Sequence, residues 1–350
     1  MKKSLKIMSP KILFAVLTAF FIIFFPTLAE AQSPAPMDRI WTEGNRFVNE
    51  SGETVIFHGV NLRDPHNLAL DGHWTLDHFE KAKQWGAGII RLPVHPGAWR
   101  ARGSEAYLRL LDQGVRWARE LGIYLILDWH SIGNLKEELF QHEMYVTTLE
   151  ETREFWDMVS DRYADEPVVA MYEIYNEPTV SGDRFGEMTW DEWKAINLEM
   201  IRTIRENHPR AVILVAGFDW AYDLTPVKKD PVEEQGIAYV SHPYPQKRDA
   251  PWERKWEKDW GFAAGSYPVI LTEIGFALPG EEGAHIPVKG DETYGRALVD
   301  YAAEKGISWV VWCFDPDWSP YMFTDWDYTP TRQGEFFREV MTSGEGGQSE

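Results

Sequence analysis

The sequence predicts an α/β protein with a single (β/α)8 barrel domain, a TIM barrel, preceded by a signal peptide and a short N-terminal hairpin. Apolar runs of strand length alternate with amphipathic helical stretches along most of the chain. The runs are continuously apolar, which is typical of parallel strands covered on both faces. Eight such strand–helix units within roughly 300 residues are the usual content of a barrel.

The candidate strands lie at 54–60, 87–94, 122–130, 168–176, 211–217, 236–244, 267–276 and 307–314. Amphipathic helices are expected between them at 75–86, 104–122, 149–164, 189–208 and 291–306, and several begin at Ser, Thr or Asp and end at Gly, as helix capping prefers. An open doubly wound sheet is the main alternative. It would usually carry a glycine-rich phosphate-binding turn after its first strand, and the stretch HGVNLRDPHN lacks one.

The N-terminus has the layout of a secretory signal peptide. Lysines precede an apolar run from Ile12 to Phe25, and the small residues Ala29 and Ala31 follow it, so we expect cleavage after Ala31. An uncleaved membrane anchor is the alternative. The run counts 14 residues, whereas roughly 20 are needed to span a bilayer. We therefore expect secretion, to the periplasm or to the medium.

The expected organisation is a signal peptide (1–31), a spacer (32–37), a catalytic domain (38–341) and a disordered tail (342–350). Within this domain, the stretch RFVNESGETVIF (46–57) predicts the hairpin, because two strand-like runs flank a glycine-containing turn. The only cysteine, Cys313, excludes an internal disulfide and is expected to be a small buried side chain. We expect a monomer.

Charge and aromatic content restrict the partners. A net charge of −20 repels nucleic acid and anionic lipid, so we expect neither nucleic acid nor, after signal cleavage, a membrane as partner. The chain has 17 Trp, 14 Tyr and 18 Phe residues. Some of these must be core, as the four-residue spacing of Trp252, Trp256 and Trp260 indicates. Flat indole faces also stack on sugar rings, and this excess therefore points to a neutral carbohydrate.

Polar residues collect where the predicted strands end. Functional residues of a barrel lie at this face, and buried charges are costly unless they are paired or used. Two of these residues, Glu177 and Glu273, are glutamates on facing strands, and hydrolysis of a glycosidic bond requires such a carboxyl pair. The strand-end residues are Arg91, Asp128, His130, Asn176, Glu177, His242, Tyr244, Glu273 and Trp312.

The two carboxyl groups need different pKa values. We expect Arg91 and the hydroxyl of Tyr244 to favour an ionised Glu273, and burial near a second negative charge to keep Glu177 protonated. The alternative is that each glutamate is a buried ion-pair partner without a catalytic role.

The motifs YEIYNEP and ILTEIGF resemble the fourth- and seventh-strand signatures of family 5 glycoside hydrolases, the large cellulase and mannanase family. The resemblance runs from VIFHGVNL to WVVWCFDPDW, nearly the whole chain after the signal, and includes IIRLPV, LILDWH and SHPY in order. It implies a retaining mechanism with Glu177 as proton donor and general acid/base and Glu273 as nucleophile. It also implies supporting roles: Arg91 and Tyr244 orient the nucleophile, His242 partners the acid/base, Asn176 binds the sugar 2-hydroxyl, and His130 and Trp312 contact the substrate.

Other residues are candidates for binding or support. Trp129 and Trp220, each at a strand end, are candidate sugar contacts, with core packing as the alternative. Glu173 and Asp128 are expected to be buried partners of an Arg or His. The loop 315–328 could hold calcium, but we favour a sugar-binding wall formed by its aromatic residues, Trp318, Tyr321 and Trp326.

The function that fits best is a secreted retaining endo-β-1,4-glucanase acting on plant cell-wall β-glucan, without a metal or other cofactor. His130 and His242 come from separate strands and lack an obvious third metal ligand. A β-mannanase, a xyloglucanase or an exo-β-glucanase would share the catalytic pair. A non-catalytic carbohydrate-binding barrel and a metal-dependent hydrolase are further alternatives. The loops that decide the substrate are 61–74, 131–148, 277–290 and 315–328.

Overall fold

The computed structural model describes residues 37–180 and 184–343. The predicted signal peptide and residues 32–36 of the spacer lie outside the described residues, as do residues 344–350 of the predicted tail. Thr342 ends the last helix and so does not belong to that tail. In the described part of the chain, we find no helix with the length and apolarity needed to cross a membrane.

Eight parallel strands close into a barrel in sequential order, which confirms the predicted fold. Each strand pairs with the next along the chain, and the eighth pairs with the first. The observed strands are shorter than predicted at several ends. The strands β1 to β8 are His58–Asn61, Ile89–Val94, Tyr124–Trp129, Val169–Glu173, Val212–Ala216, Ile237–Val240, Val269–Ile274 and Ser308–Val311.

Helices surround this barrel, and all five predicted ones are present within two residues of their expected ends. Capping side chains begin four of them, and Thr189, for example, forms a capping box with Glu192, whereas the helix Ser104–Leu121 begins at Gly103 without a side-chain cap. Residues 217–236, between β5 and β6, contain only the short turns Phe218–Ala221 and Thr225–Lys228. The longer helices are Pro65–Leu70, Leu76–Gln84, Pro96–Arg102, Ser104–Leu121, Leu149–Tyr163, Trp190–Asn207, Glu253–Asp259, Glu292–Lys305 and Arg332–Thr342.

The N-terminal hairpin is present, but earlier in the chain than predicted. Its strands are Trp41–Glu43 and Arg46–Val48. Within the stretch 46–57, where the hairpin was predicted, the structure has a single isolated β-bridge, between Val48 and Thr54. The tight turn is possible because Gly44 adopts a positive φ of 60°, which glycine tolerates without a steric cost. The pair Gly44–Asn45 was the missed turn signal.

The core has two apolar layers. One lies between the strands and the helices, and the other fills the lower part of the barrel interior, where the strands begin. Phe47 of the hairpin and Phe57 close this lower end, with ring centroids 6.1 Å apart. The inner layer includes Ile89, Ile126, Met171, Leu214, Val240, Ile270 and Val310. The upper part of the interior is polar instead, and it forms the floor of a cleft.

Candidate active site

Backbone pairing beyond the end of β4 fixes the position of Glu177. Three short strands, Ile132–Asn134, Leu139–Phe140 and Glu177–Pro178, form a small sheet above the barrel. The Glu177 amide donates to the carbonyl of Ser131 at 3.0 Å, so the chain after β3 holds the chain after β4. The carboxyl of Glu177 is thereby aimed at the barrel axis.

An irregularity in β7 places two consecutive side chains in the barrel interior. Ile270 packs in the inner layer, whereas Leu271 and Ile274 pack in the outer one. Between them the register to β8 shifts, as in a β-bulge. Thr272 and Glu273 therefore both face inward, although neighbours on a regular strand point to opposite sides.

Arg91 is the hub of the polar interior. Its fully buried guanidinium binds Glu173 through two hydrogen bonds, Nε to Oε2 at 2.6 Å and Nη2 to Oε1 at 3.0 Å. Nη2 also lies 3.0 Å from Asp128 Oδ2, and Nη1 donates to Asn61 at 2.9 Å. The expectation that Glu173 and Asp128 are buried partners of an arginine is therefore confirmed.

Glu273 accepts two hydrogen bonds from the groups predicted to orient it. Arg91 Nη1 donates to Oε1 at 3.2 Å, and the Tyr244 hydroxyl donates to Oε2 at 2.8 Å. Both donors stabilise the ionised carboxylate. These contacts orient the side chain with its oxygens toward the cleft.

Glu177 has a different partner. Its Oε1 lies 2.9 Å from Nδ1 of His242, and the other ring nitrogen of His242 lies 2.9 Å from the Thr272 hydroxyl. His242 is fully buried, and Glu177 is only 8% exposed. Glu177 therefore lies in an environment with little water to stabilise its charge.

Electrostatics separate the two carboxyl groups. Burial raises the pKa of Glu177 to about 7, and burial lowers the pKa of His242 to about 4. Burial also raises the pKa of Glu273, although His242, Arg91 and Tyr244 act in the opposite direction. Our expectation for Glu273 considered only Arg91 and Tyr244 and overlooked desolvation. Glu273 accepts hydrogen bonds from two donors, one of which is cationic, and these bonds stabilise its ionised form. Of the two carboxyl groups, Glu177 is therefore the one that holds a proton.

The two carboxyl groups are close enough for a double displacement. One oxygen of each, together with one nitrogen of His242, lie within 4.8 Å of one another. Retaining glycosidases separate the two groups by about 5–5.5 Å, and inverting ones by about 6.5–9.5 Å. These three residues are also the only cluster of potential metal ligands among residues 37–180 and 184–343. Their atoms are engaged with one another and with Tyr244 and Arg91.

The cleft above this floor has a volume of about 600 Å³ and carries aromatic side chains on both sides. On one side Trp312 stacks on His130, with ring centroids 5.3 Å apart and planes 8° from parallel, and Trp318 lies 6.1 Å from Trp312. On the other side is Trp220, whose indole N–H donates to Gln141 at 2.9 Å.

Two polar side chains retain unused hydrogen-bonding capacity toward the cleft. The Asn176 carbonyl accepts from Arg91 at 2.7 Å, but its amide nitrogen is buried without a partner. His130 Nδ1 lies 2.6 Å from Asp128, and burial lowers the pKa of His130 well below its usual value. The neutral ring donates from Nδ1, which leaves Nε2 as an acceptor. Both residues suit a ligand with hydroxyl groups.

Trp129 is not part of the site. It is fully buried, stacks on Phe155 at 4.2 Å and donates to Thr152. Asp128 and His130 face the barrel interior, so strand alternation turns Trp129 outward to the helices. The prediction that it contacts sugar was wrong, and its alternative, core packing, is what the structure shows.

The loop 315–328 contributes Trp318 and Ser319 to the cleft, and Trp318 is the aromatic residue of this loop that lines it. Tyr321 lines a separate surface pocket, and Trp326 stacks on His73 at 3.6 Å, so these two do not extend the predicted wall. Asp315 and Asp317 pair with Arg63.

An unusual turn presents Trp220. Asp219, Trp220 and Ala221 have φ values of 56°, 55° and 56°, in the left-handed region that non-glycine residues seldom adopt. Such conformations cost about 1–3 kcal/mol each and persist where surrounding structure enforces them. Lys247 supports the turn by donating to the Asp219 carbonyl at 2.6 Å.

Several residues that line the cleft were not predicted from the sequence. Gln141, Tyr145, Asp219 and Lys247 lie on loops, where no periodicity indicated their direction. His95 lies behind the cleft, within 4.7 Å of the His130 ring centroid. It directly follows β2, so the rule used for the other strand ends could have found it.

Comparison with known proteins agrees with this geometry. A family model for cellulases of glycosyl hydrolase family 5 matches residues 48–317. The chain belongs to glycosyl hydrolase family 5. It is therefore a glycoside hydrolase, as the resemblance implied.

Relatives of this family 5 enzyme include an endoglucanase of Paenibacillus polymyxa, 25% identical over 372 residues that cover 89% of each chain. Endoglucanase A of Evansella cellulosilytica is 26% identical over 230 residues, which are 65% of this chain and 42% of that protein. A crystal structure of a β-glucanase from Saccharophagus degradans in complex with cellotetraose is 47% identical. It matches with a TM-score of 0.88 and covers 93% of this chain and 98% of that one.

Proposed function

We propose that this family 5 enzyme is a secreted, retaining endo-β-1,4-glucanase that hydrolyses plant cell-wall β-glucan. The observation that carries the proposal is the pair Glu177 and Glu273, with oxygens within 4.8 Å at the floor of an aromatic-sided cleft. The 47% identical β-glucanase, which binds cellotetraose, supports a β-glucan as substrate. Endoglucanases among the relatives support internal cleavage.

In the first step, a Glu273 oxygen attacks the anomeric carbon and forms a C–O bond to it. The bond between that carbon and the glycosidic oxygen breaks, and Glu177 donates its proton to the leaving oxygen. Glu177 is suited to this role because burial raises its pKa to about 7, so that it carries a proton in neutral solution. Arg91 and Tyr244 hold the attacking carboxylate.

In the second step, water attacks the same carbon from the face that the leaving group vacated. Glu177, now ionised, accepts a proton from that water, and the bond to Glu273 breaks. Two inversions give overall retention. Oxygens of the two carboxyl groups lie within 4.8 Å of each other, which favours direct attack by Glu273, since inverting enzymes place a water between their carboxyl groups.

Three side chains orient the reacting sugar in this proposal. The unpartnered amide of Asn176 donates to the 2-hydroxyl, and Nε2 of His130 accepts from a hydroxyl. Trp312 supplies a flat apolar face. On the opposite side, Trp220 supplies a second such face for another part of the chain.

A substrate panel tests the assignment. We expect faster hydrolysis of carboxymethyl cellulose than of glucomannan, xyloglucan or β-1,3-glucan. Predominant turnover of mannan, or release of single terminal units alone, would reject an endo-β-1,4-glucanase.

Removing the nucleophile separates catalysis from binding. Glu273→Ala should lower kcat by at least about 10⁴-fold, whereas calorimetry should still detect bound cello-oligosaccharide. Exposed Glu120 provides the control variant, Glu120→Ala, which should keep full activity. Unchanged turnover in Glu273→Ala would refute the catalytic pair, and absent turnover in the wild type would favour a binding barrel. Activity should also be insensitive to a chelator.

Secretion and oligomeric state are tested on the full-length chain. Expression with the native leader should give an exported monomer whose first residue is Gln32. Mass spectrometry of the N-terminus and sedimentation would measure both properties. Retention of the leader in a membrane fraction would contradict the proposed export.

A further inference from the structure

We infer that Thr272 and Glu173 act as positioning residues that fix the tautomer of His242 and thereby keep the proton on Glu177. This inference deepens the proposed function, on which it rests. Four side chains, two from β4 and β7 and two from the chain that follows β4 and β6, form one line of hydrogen bonds. The line runs from Glu173 through Thr272 and His242 to Glu177.

The direction of the first hydrogen bond follows from the chemistry of Glu173. This carboxylate is fully buried and accepts two hydrogen bonds from Arg91, so it has no proton to donate. Its Oε1 lies 2.9 Å from the Thr272 hydroxyl. The single hydroxyl proton of Thr272 must therefore lie between these two oxygens.

The second hydrogen bond is then determined. Because the Thr272 proton is committed to Glu173, the hydroxyl oxygen can only accept from His242 Nε2, 2.9 Å away. His242 must carry its proton on Nε2. A neutral ring consequently has a bare Nδ1, and Nδ1 lies 2.9 Å from Glu177 Oε1. A hydrogen bond between these two atoms then requires a proton on Glu177. The positions of the protons on Thr272 and His242 therefore favour the protonated form of Glu177.

The backbone holds this line in place. The Asn61 side chain donates to the carbonyl of Thr272 at 2.9 Å. Thr272 faces the interior in alternation with the inner Ile270 and the outer Leu271, and the register shift that follows turns Glu273 inward beside it. The irregularity therefore places the proposed nucleophile next to the tautomer-fixing hydroxyl.

Other charges near Glu177 and His242 act on the same equilibrium. The cations are Arg91 and Lys247, and the carboxylates are Asp128, Glu173, Asp219 and Glu273. The phenols of Tyr145, Tyr175 and Tyr244 also face this region, and burial raises the pKa of each so that they stay neutral. Removal of the Thr272 hydroxyl alone takes one hydrogen-bond donor from Glu173, which keeps its two bonds to Arg91, and it touches none of the other groups. A variant at Thr272 therefore isolates the effect of the tautomer.

The decisive experiment reads the tautomer by 15N NMR of histidine-labelled enzyme, with His242 assigned by its absence in His242→Gln. At pH 6 the wild type should show Nε2 protonated and Nδ1 bare. Thr272→Val, which keeps the shape but removes the hydroxyl, should shift His242 toward the Nδ1–H form. Thr272→Ser should restore the wild-type spectrum. A wild-type ring protonated on Nδ1 would overturn the inference, whether or not the variants fold.

The kinetic consequence is a shift of the pH profile. With Nδ1–H donating to it, the ionised form of Glu177 is favoured, so the alkaline limb of kcat/KM should move down by about one pH unit in Thr272→Val, a tenfold change in the equilibrium. Thr272→Ser should keep the limb of the wild type. An unchanged limb and tautomer in Thr272→Val would refute the role of Thr272. Because NMR needs no turnover, this failure is distinct from failure of the proposed function.

Discussion

The centre of the barrel contains one buried guanidinium and four carboxyl groups. Arg91 contacts Asp128, Glu173 and Glu273 directly, whereas Glu177 contacts only a histidine. A single cation cannot neutralise four buried anions, so at least one proton must be retained. Burial raises the pKa of Asp128 as well as that of Glu177, but Asp128 contacts Arg91 directly, whereas Glu177 lies outside the contact shell of Arg91 and is the acid that we propose to carry a proton at the cleft.

The protonation of Glu177 predicts the pH dependence. The folded pKa of this carboxyl is raised above its usual value, to about 7, so the acid form is lost as the pH rises through 7. We expect kcat/KM to fall on the alkaline side of about pH 7, because Glu177, the proposed general acid, is then ionised.

Substitution of Lys247 should shift the alkaline limb of the pH profile of kcat/KM. Its ammonium group lowers the pKa of Glu177, so Lys247→Met should shift the alkaline limb of kcat/KM upward. Exposed Lys258 supplies the matched control, Lys258→Met, which should leave the profile unchanged. A limb that stays in place, or moves to lower pH, would show that Lys247 does not act on the general acid.

Among the elements, the loops above the barrel determine which aromatic residues reach the substrate. Loop 315–328 carries two half-buried tryptophans with different surroundings, Trp318 in the cleft and Trp326 stacked on His73. Periodicity places residues on strands and helices, but it does not determine the direction of a loop side chain. This is why the predicted wall was only partly right.

The two tryptophans make a matched pair of variants. Trp318→Ala should raise KM for cello-oligosaccharides by roughly tenfold, about 1.4 kcal/mol of binding, with a smaller change in kcat. Trp326→Ala should leave KM unchanged and lower the melting temperature, because it loses only packing. Steady-state kinetics and thermal unfolding measure both, and equal KM values for the two variants would contradict the assignment of Trp318 to the cleft.

Strands were more predictable than loops, for physical reasons. The alternation of side chains along a strand and the position of its end bring Arg91, Glu177, His242 and Glu273 to one face without any knowledge of contacts. The same alternation should have excluded Trp129, since Asp128 and His130 already occupied the inner side. The β7 bulge breaks alternation, and Thr272 could not be assigned an inward direction from the sequence.

In the molecule as a whole, the two ends of the barrel have different roles. The upper end carries the polar cleft, and the lower end is filled by apolar side chains and closed by the N-terminal hairpin. In barrels of this type, the lower face contributes stability and the upper face chemistry. Changes at the hairpin should therefore affect unfolding without affecting turnover.

Phe47 tests this division. It is 3% exposed and contacts Phe57 at the lower end, so Phe47→Ala should reduce the free energy of unfolding by about 3–5 kcal/mol. At 25 °C kcat/KM should match that of the wild type. Denaturant unfolding and steady-state kinetics measure the two quantities. A large loss of activity in the folded variant would show that the hairpin influences the cleft.

The stereochemistry of the first product tests the central claim most directly. If Glu273 attacks the anomeric carbon while Glu177 donates its proton, the newly released reducing end must retain the β configuration before mutarotation. Proton NMR in the first minutes of cello-oligosaccharide hydrolysis should therefore show the β-anomer ahead of the α-anomer. Initial release of the α-anomer would mean that water attacks directly, and would contradict the assignment of Glu273 as the nucleophile.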